Sequence, residues 1–378
     1  MNSSNDLARP TVVIALRDDL RATYLAEQDL MDLGRFADYR VVPVSDGDDL
    51  TPLRGAVREA DALVVCHGAP RIDQAWLDDA PRVRLIGELE GDRFGQRIDV
   101  DNAIQRGIRV VDTTQGSSYP VAEWALALML IALRDAGRYY RGLINGEVVK
   151  QRPEDFGYVH GELTGKRVGL IGCGHIGRRL ISLVRPFHVA VSVYDPYLPH
   201  ELADALSFLR TTLDYVLSAS DVVVCLAPLT PKTKGMLGAS ELARLAPGTA
   251  FVNVSRGAIV DSAALIDRLR RLDITAALDV FDPEPIPTDS PIRSLPNVFL
   301  SPHIAGVTAA SRPRFFSLMI GELERFFQGH DTRYDLNAWA IANRRGEAPP
   351  EPSVAVGPSA TRTNASPAPG TRHASSPE

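Results

Sequence analysis

The chain has 378 residues and a formal net charge of -6 at pH 7, with 41 Lys or Arg against 47 Asp or Glu. A single hydrophobic core stops growing at roughly 250 to 300 residues, so this length predicts two domains and a tail. The acidic balance provides no basic field, which argues against nucleic acid or an anionic membrane as a partner. The three cysteines lack CxxC spacing, so we predict neither a disulfide framework nor a metal site.

The N-terminal segment carries no targeting signal that we recognise. Residues 1–10 are polar and lack the cationic and apolar regions of a signal peptide. The longest apolar run, 124–133, is shorter than the roughly 20 residues that cross a bilayer. We therefore expect a cytoplasmic protein that does not enter a membrane.

The first part of the chain alternates short apolar runs with segments of helical spacing. Helices are predicted at 20–31 and 53–60. The predicted strands are 11–15, 41–44, 63–66, 84–86 and 109–111. This pattern indicates a first α/β layer. A long apolar helix is then predicted over 118–140, and its lack of a polar face indicates burial in the core or between subunits.

A second α/β series follows and predicts a doubly wound sheet. Its six predicted strands are 168–171, 190–194, 222–226, 250–254, 275–278 and 298–300. After His303 the pattern becomes helical through Phe327, which suggests that the chain returns to the first domain. The fold class is therefore α/β, with two Rossmann-like domains of which the second is inserted into the first.

These patterns give a division of the chain. We expect a substrate domain made of 1–112 and 303–340, a nucleotide-binding domain at 113–302, and a disordered tail at 345–378. The tail is rich in Pro, Ser, Ala, Thr and Gly and contains too few large apolar groups to offset its conformational entropy.

The most informative motif lies between the first strand and helix of the second series. It reads Gly172, Cys173, Gly174, His175, Ile176 and Gly177. In a dinucleotide-binding unit the first glycine permits the tight turn, the second lets the backbone approach a pyrophosphate, and the third lets helix and strand pack closely. The helix N-terminus adds partial positive charge and free N–H groups. Context makes the motif specific, because it follows an apolar strand and opens a helix.

An acid at the end of the following strand predicts the cofactor. Asp195 lies 195 − 177 = 18 positions after Gly177, close to the roughly 20 expected for a carboxylate that binds the adenosine ribose hydroxyls. Such a carboxylate favours NAD over NADP. The other interpretation is a glycine turn in an ordinary α/β core, with Asp195 capping a strand end.

Three residues that suit hydride-transfer chemistry follow predicted strands of the second series. Reduction of a 2-oxo acid needs a cation that holds the carboxylate and polarises the carbonyl, and an acid that protonates the developing alkoxide. Arg256 suits the first role because its guanidinium matches a carboxylate. His303 suits the second, and Glu284 would orient its ring. Each has a structural explanation when taken singly, but the three together favour catalysis.

The chain resembles the D-isomer-specific 2-hydroxyacid dehydrogenase family. The resemblance runs from about Leu63 to Gly329 and rests on five further segments in family order, which are 161–166, 228–233, 253–257, 279–285 and 302–308. It implies Arg256, Glu284 and His303 as the catalytic set and a homodimer around the long helix that starts near Val121. It also implies a cofactor site that includes His175, Ile176, Pro228, Thr233, Val254, Ser255, Gly306 and, near the nicotinamide, Asp279.

One stretch departs from the family pattern. Members similar to this chain carry a short glycine loop before an Ile-Asp pair, whereas 87–97 is longer here by about two residues. Gly91, Arg93 and Arg97 are candidate substrate residues, because the two arginines suit a second carboxylate, phosphate or phosphonate. The alternative is a charged, solvated loop whose acids offset its arginines.

These observations predict an NAD-dependent oxidoreductase that interconverts a 2-oxo acid and a D-2-hydroxy acid. The resemblance argues against formate, since formate-oxidising relatives carry glutamine where this chain has Glu284. Phosphite oxidation within the same family stays open. A hypothesis of a different class is an NAD(H)-sensing corepressor, in which cofactor binding drives assembly and turnover is secondary.

Overall fold

Two parallel sheets dominate the computed structural model, which describes residues 9–45, 47, 49–90, 97–148 and 161–348. The first sheet has the strand order β2-β1-β3-β4-β5. Its strands are β1 (Thr11–Leu16), β2 (Asp38–Pro43), β3 (Ala62–Val65), β4 (Leu85–Glu88) and β5 (Arg109–Asp112). The order reverses at β1, so the carboxyl ends of β1 and β3 border the crevice where ligands of such sheets bind.

The second sheet has the strand order β12-β11-β10-β9-β6-β7-β8. Its strands are β6 (Arg167–Ile171), β7 (Ala190–Tyr194), β8 (Leu209–Arg210), β9 (Val222–Cys225), β10 (Ala250–Asn253), β11 (Thr275–Leu278) and β12 (Val298–Leu300). All pairs are parallel, and β6 pairs with both β7 and β9. The prediction of six strands missed β8, a two-residue edge strand too short to give an apolar signal.

Helices separate successive strands of the described chain, except that only a 3₁₀ turn, Pro291–Arg293, lies between β11 and β12. In the first part they are α1 (Arg21–Tyr24), α2 (Glu27–Phe36), α3 (Thr51–Val57), α4 (Gln74–Asp78), α5 (Val100–Gln105), α6 (Ser118–Leu133) and α7 (Ala136–Ile144). In the second part they are α8 (His175–Val184), α9 (His200–Leu206), α10 (Leu213–Ala219), α11 (Ala239–Leu242), α12 (Ser262–Leu269), α13 (Ser311–Phe327) and α14 (Ala338–Arg345). The fold class is α/β with two Rossmann-like sheets, as predicted.

The long helix predicted over 118–140 is wrong as a single element. The chain breaks at Asp135, whose φ of 46° is left-handed, and continues as α7. The Asp135 carboxylate pairs with Arg138, one turn into the new helix. Periodicity carries straight across such a break, since apolar residues keep helical spacing on both sides of it. The segments 20–31 and 303–327 likewise differ from prediction: the first is divided between α1 and α2, and helix α13 begins only at Ser311.

Helix α6 is a core helix of the second sheet. With the 3₁₀ turn before it, it forms a 20-residue segment, Thr114–Leu133, that by length and composition alone is able to cross a membrane. The apolar run identified in the sequence is therefore shorter than the helical segment that contains it. In this structure 56% of an 18-residue stretch of the segment is buried, and Leu128 and Met129 are fully buried in the core around the second sheet. A core helix passes the same test of length and composition.

The three cysteines are free and buried. Cys66, Cys173 and Cys225 each follow or end a strand, and burial raises the pKa of each thiol to about 12. They therefore stay protonated near neutrality and act as small apolar core residues.

After β12 the chain returns to the first sheet. Helix α13 packs there through Phe315, Phe316, Met319 and Leu323, which share one buried cluster with residues of β1. An isolated bridge then pairs Val111 with Asp335. Helix α14 follows, so the described chain is helical up to Arg345. The helix thus ends at the first residue of the tail that we predicted at 345–378, and 349–378 lies outside the described residues.

Candidate active site

The glycine loop has the geometry that its sequence predicts. Gly172 has a φ of +92°, and a Cβ there would lie 2.7 Å from the backbone nitrogen of Ala227. A Cβ on Gly177 would lie 3.1 Å from the carbonyl oxygen of Gly172, so this glycine lets α8 approach β6. Gly174 is the N-cap of α8 and has open space above it. His175 begins the helix, and Ile176 packs against the core.

Asp195 follows β7 and is held beside the glycine loop. Its carboxylate accepts hydrogen bonds from the backbone N–H of Cys173 at 2.8 Å and of Tyr197 at 2.9 Å. These two bonds fix the orientation of the carboxylate at the carboxyl edge of the sheet. The acid and the helix N-terminus thus lie side by side, where a dinucleotide needs a ribose partner and a pyrophosphate partner.

The loops after β9 and β10 continue the same edge. The Thr233 hydroxyl donates to the carbonyl of Pro228 at 2.6 Å, which closes a tight loop. Ser255 is buried and its hydroxyl donates to the carbonyl of Ala227, so the two loops are tied together. Val254, beside it, is buried in the core. These predicted cofactor residues line one side of the cleft in the order of their strands.

His303 and Glu284 form the clearest pair in the site. The His303 Nδ1 atom lies 2.6 Å from the Glu284 carboxylate, and both side chains are partly exposed. The other Glu284 oxygen accepts from the backbone N–H of Phe281 at 3.3 Å. His303 itself has a φ of 53°, a left-handed conformation that is uncommon outside glycine. The ring is thus positioned by a carboxylate and by an unusual backbone turn.

Arg256 is brought to these residues by a backbone contact. It precedes a 3₁₀ turn at Gly257–Ile259, and its guanidinium donates to the Ser255 carbonyl at 2.6 Å. A Cβ on Gly257 would lie 1.9 Å from the backbone of Phe281, so only glycine permits the two loops to approach this closely. Burial lowers the pKa of Arg256, and the charge of Glu284 opposes that shift. The close packing of Gly257 on Phe281 thus places Arg256 and Glu284 in adjoining loops.

Asp279 lies buried beneath the turn at residues 301–306, which we call the catalytic turn because it carries His303, the predicted acid and base. It is fully buried, and its Oδ1 atom accepts from the Ser301 hydroxyl at 2.5 Å and from the Trp124 indole at 3.3 Å. The backbone N–H groups of Ile304 and Ala305 also donate to this carboxylate. Asp279 thus holds the turn that carries His303. The sequence analysis missed the parts of Trp124 and Ser301, because they lie far from Asp279 in the chain.

Gly306 joins the catalytic turn to the helices that follow. Its carbonyl accepts from the Ser311 hydroxyl at 2.8 Å, at the start of α13. A Cβ on Gly306 would lie 3.6 Å from both Ser117 and Val121. The turn is therefore packed between the N-terminal ends of α6 and α13.

The candidate substrate loop is only partly described. Gly91 and Arg93 lie outside the described residues. Arg97 is buried, and its guanidinium contacts the Glu88 carboxylate at 2.5 Å. Glu88 has no exposed surface, and burial raises its pKa to about 7 despite the neighbouring Arg97. The Arg97 guanidinium that we predicted for a substrate anion therefore already has an acidic partner within the protein.

A second polar cluster lies beside this pair, at the carboxyl ends of β3 and β4. The Glu90 carboxylate accepts from the Tyr24 hydroxyl and contacts the His67 Nε2 atom. The Tyr24 ring lies 6.2 Å from the ring of His67 and 6.3 Å from that of Phe315 on α13. No sequence signal marks Tyr24 as part of the site, since it is separated from Glu90 by 66 positions. The cluster lies on the first-sheet side of the cleft.

Comparison with known proteins matches this geometry to one family. Residues 126–305 match the profile of the D-isomer specific 2-hydroxyacid dehydrogenase, NAD binding domain. The chain is 35% identical over 299 residues to a D-3-phosphoglycerate dehydrogenase of Mycobacterium leprae, an alignment that covers 78% of this chain and 54% of that protein. The chain spans about half the length of the curated phosphoglycerate dehydrogenases that it matches.

Solved structures extend the match to most of the chain. One is a putative D-isomer specific 2-hydroxyacid dehydrogenase, NAD-binding, of Polaromonas, with a TM-score of 0.62, 27% identity and coverage of 87% of this chain and 100% of that one. Another is the NAD complex of a D-isomer specific 2-hydroxyacid dehydrogenase of Lactobacillus delbrueckii ssp. bulgaricus, with a TM-score of 0.70 and 21% identity. It covers 86% of this chain and 100% of that one, and shares the fold.

The chain belongs to the D-isomer specific 2-hydroxyacid dehydrogenase family. The sheet that carries the glycine loop lies within the match to the NAD-binding domain of that family, so the cofactor of this site is NAD.

Proposed function

We propose that the protein is an NAD-dependent oxidoreductase that interconverts a 2-oxo acid and a D-2-hydroxy acid. The observation that carries the proposal is the 2.6 Å contact between His303 and Glu284, formed within a loop pair that also positions Arg256. A carboxylate, an imidazole and a guanidinium at one edge of a dinucleotide-binding sheet are the parts that this reaction needs.

Each residue has a distinct part in the proposed reaction. When bound, NAD supplies or takes up the hydride through its nicotinamide. Arg256 holds the substrate carboxylate and stabilises the negative charge that develops on the carbonyl oxygen. Glu284 holds the Nδ1 atom of His303, which leaves Nε2 to give the proton in reduction and to accept it in oxidation. Asp279 fixes the turn on which His303 lies.

The proposed NAD contacts follow the edge of the second sheet. Gly172, Gly174, His175, Ile176 and Gly177 surround the pyrophosphate, and Asp195 binds the adenosine ribose. The loops after β9 and β10, together with the catalytic turn, then extend along the rest of the cofactor through Pro228, Thr233, Val254, Ser255, Asp279 and Gly306. What supports this placement is that all of these residues lie at or just beyond the carboxyl ends of neighbouring parallel strands.

We propose that the substrate domain is discontinuous. It consists of 1–112 and of the segment from residue 303 through α14, and the NAD-binding domain is 113–302. The packing of α13 against the first sheet and the bridge between Val111 and Asp335 support this division. The active site then lies between the two domains, where hinge closure would exclude water.

An assay of NADH oxidation tests the reaction. The panel of 2-oxo acids spans glyoxylate, pyruvate, hydroxypyruvate, branched and aromatic acids, and forms with a second carboxylate, phosphate or phosphonate. We expect one clear best substrate. The names of the M. leprae and related proteins make the phosphorylated three-carbon acid the first to try. Tight NADH binding without turnover of any acid, or of phosphite in the reverse direction, would instead support the NAD(H)-sensing corepressor.

We also propose that the protein is a homodimer that uses the surface of α7. One face of α7 carries three exposed large apolar side chains. They are Tyr140 (62% exposed), Leu143 (64%) and Ile144 (63%), which are three or four positions apart or adjacent in the chain. Leu130 and Tyr119 of the neighbouring α6 are also exposed. An apolar surface of this kind on a soluble chain marks an interaction site.

Sedimentation of a charged variant tests the dimer. Leu143→Glu should convert a dimer to a monomer, because burying a carboxylate in an apolar interface is costly. The matched control is Leu209→Glu on edge strand β8, where leucine is 52% exposed. A wild-type protein that sediments as a monomer at micromolar concentration would contradict the proposal.

A further inference from the structure

The C-terminal segment of the described chain is firmly attached to the first sheet. The backbone N–H of Leu336 donates to the carbonyl of Val110 at 2.8 Å, and that of Asp112 donates to Tyr334 at 2.9 Å. At the end of α14 the Arg345 guanidinium contacts both oxygens of Asp101 at 2.8 Å. These bonds fix the position at which the chain leaves the helix.

Beyond α14 the same segment meets the NAD-binding domain. The Tyr197 hydroxyl donates to the backbone carbonyl of Glu347. A Cβ on Gly346 would lie 3.2 Å from the backbone nitrogen of Lys232 and 3.2 Å from the Thr230 hydroxyl. Residues 346–347, which we call the C-terminal strap, therefore run from one domain to the other.

The strap touches loops on which the proposed NAD site depends. Tyr197 donates its backbone N–H to Asp195, so the residue that holds the strap also holds the proposed ribose carboxylate. Thr230 and Lys232 lie in the loop that Thr233 closes. Earlier in the same C-terminal segment, before α14, the Tyr334 ring lies edge-on to His175 of the glycine loop, with 6.4 Å between the ring centroids. The segment thus borders the adenosine end of the site.

We propose that the C-terminal strap forms the outer wall of the adenosine-ribose pocket and that the Glu347 carboxylate acts with Asp195 to exclude the 2′-phosphate of NADP. The inference rests on the proposed placement of the adenosine ribose at Asp195.

The charges at this end of the cleft support the proposed exclusion of the 2′-phosphate of NADP. Burial raises the pKa of the Tyr197 phenol, and the negative charges of Asp195 and Glu347 add to that increase. The backbone carbonyl of Glu347 accepts from the same phenol, so residue 347 lies at the end of the cleft where Asp195 is held. Of the cations nearby, Arg345 is paired with Asp101, and the backbone and Cγ atom of Lys232 lie against Gly346 of the strap. A dianionic phosphate entering beside two carboxylates meets like charge, whereas the ribose hydroxyl of NAD does not.

Charge reversal at residue 347 tests the proposal. For Glu347→Lys in the full chain we expect the ratio of kcat/KM for NADP⁺ to that for NAD⁺ to rise about tenfold, and less for Glu347→Gln. The increase should shrink at high salt, because the site is open to solvent. The matched control is Glu324→Lys on α13, an exposed acid that contacts Gln328. A ratio that moves no more in Glu347→Lys than in Glu324→Lys overturns the proposal.

Two further variants separate the possible failures. Tyr197→Phe removes the hydroxyl that holds the strap and should speed NADH dissociation several-fold, as followed by stopped-flow fluorescence; an unchanged rate would contradict the wall. Asp195→Ala tests the ribose placement alone. If it relaxes the preference for NAD while Glu347→Lys does not, only the inference about the strap fails. If neither variant relaxes it, the ribose placement is wrong as well.

Discussion

His303 combines a left-handed backbone, a carboxylate partner and a partly exposed ring. The backbone of this residue is held by its own N–H, which donates to the Asp279 carbonyl at 2.9 Å. Such conformations cost of order 1 to 3 kcal/mol and persist where the surroundings determine them. Here the surroundings are the buried Asp279 carboxylate and the groups that donate hydrogen bonds to it. They hold the backbone of His303 in this costly conformation, which fixes the orientation of the imidazole ring.

His303→Asn should lower turnover by roughly 10² to 10⁴ while NADH affinity stays near that of the wild type. Asparagine tolerates the left-handed conformation, so the variant removes the acid and base function with little change in the backbone. Steady-state kinetics and NADH fluorescence titration provide the two measurements. An unchanged rate would remove His303 from the proton-transfer role.

Glu88 provides a test of pH dependence. Burial raises its pKa in the folded protein to about 7, above the ordinary value of 4.5. Between these values the folded state binds more protons than the unfolded state, so this group makes the protein less stable as the pH rises from about 4.5 to 7. The full effect is about 3 kcal/mol.

In Glu88→Gln that part of the pH dependence should disappear. Urea unfolding of the wild type and the variant at several pH values measures it, since the difference between the two free energies of unfolding must change across this pH range. Parallel curves would show that Glu88 is already ionised in the folded protein, through its contact with Arg97.

At the scale of elements, the site is made of loops that leave neighbouring strands at one edge of a sheet. Strands β10 and β11 pair in register from Ala250 with Thr275 to Asn253 with Leu278. The loops that carry Arg256 and Glu284 therefore start side by side. The close approach at Gly257 is what brings the two charged residues into one site.

Gly257→Ala should disrupt that approach. The added methyl group would lie 1.9 Å from the backbone of Phe281, so the loops must separate, with a loss of stability and of kcat/KM together. The control is Gly321→Ala in α13, where a Cβ meets nothing within 4 Å. That variant should be more stable by about 0.5 to 1 kcal/mol. Equal activity of Gly257→Ala and wild type would contradict the role of the contact.

The sequence predicted the presence of the helices and strands better than the residues at which they begin and end. The strand positions and the glycine loop follow from alternation, apolar runs and turn residues, which are local signals. The break at Asp135 and the late start of α13 at Ser311 are decided by contacts with other parts of the chain. The break lets α7 turn away from α6 and place Arg141 on the carbonyls of Leu295 and Pro296.

At the scale of the whole molecule, the two domains are linked by noncovalent contacts of the C-terminal segment as well as by the points where the chain passes from one domain to the other. Helix α14 rests on the first sheet through Ala340 and Ile341, and Leu336 just before it is buried in the same cluster, while the strap beyond the helix reaches the second domain. The C-terminal segment therefore links the two sides of the cleft. Composition alone would not predict that this segment links the two domains.

Truncations separate this segment from the tail. A protein that ends at Ala348 should keep the melting temperature of the full chain to within about 2 °C, because the residues removed are nearly devoid of large apolar groups. A protein that ends at Asn337 loses α14 and its buried Ala342 and should melt several degrees lower. Differential scanning calorimetry compares the three lengths. A large drop for the first truncation would show that 349–378 packs against the protein.

By itself the sequence determined the α/β class, the glycine loop, the acid at Asp195 and the identity of the residues suited to catalysis, because each depends on local spacing or on side-chain chemistry. Only the tertiary structure decided which of these residues meet. It matched Arg97 with the buried Glu88, placed Asp279 under the turn of His303, and brought Glu347 to Tyr197 across 150 positions. Such pairings depend on how distant segments pack, and no spacing within one segment encodes them.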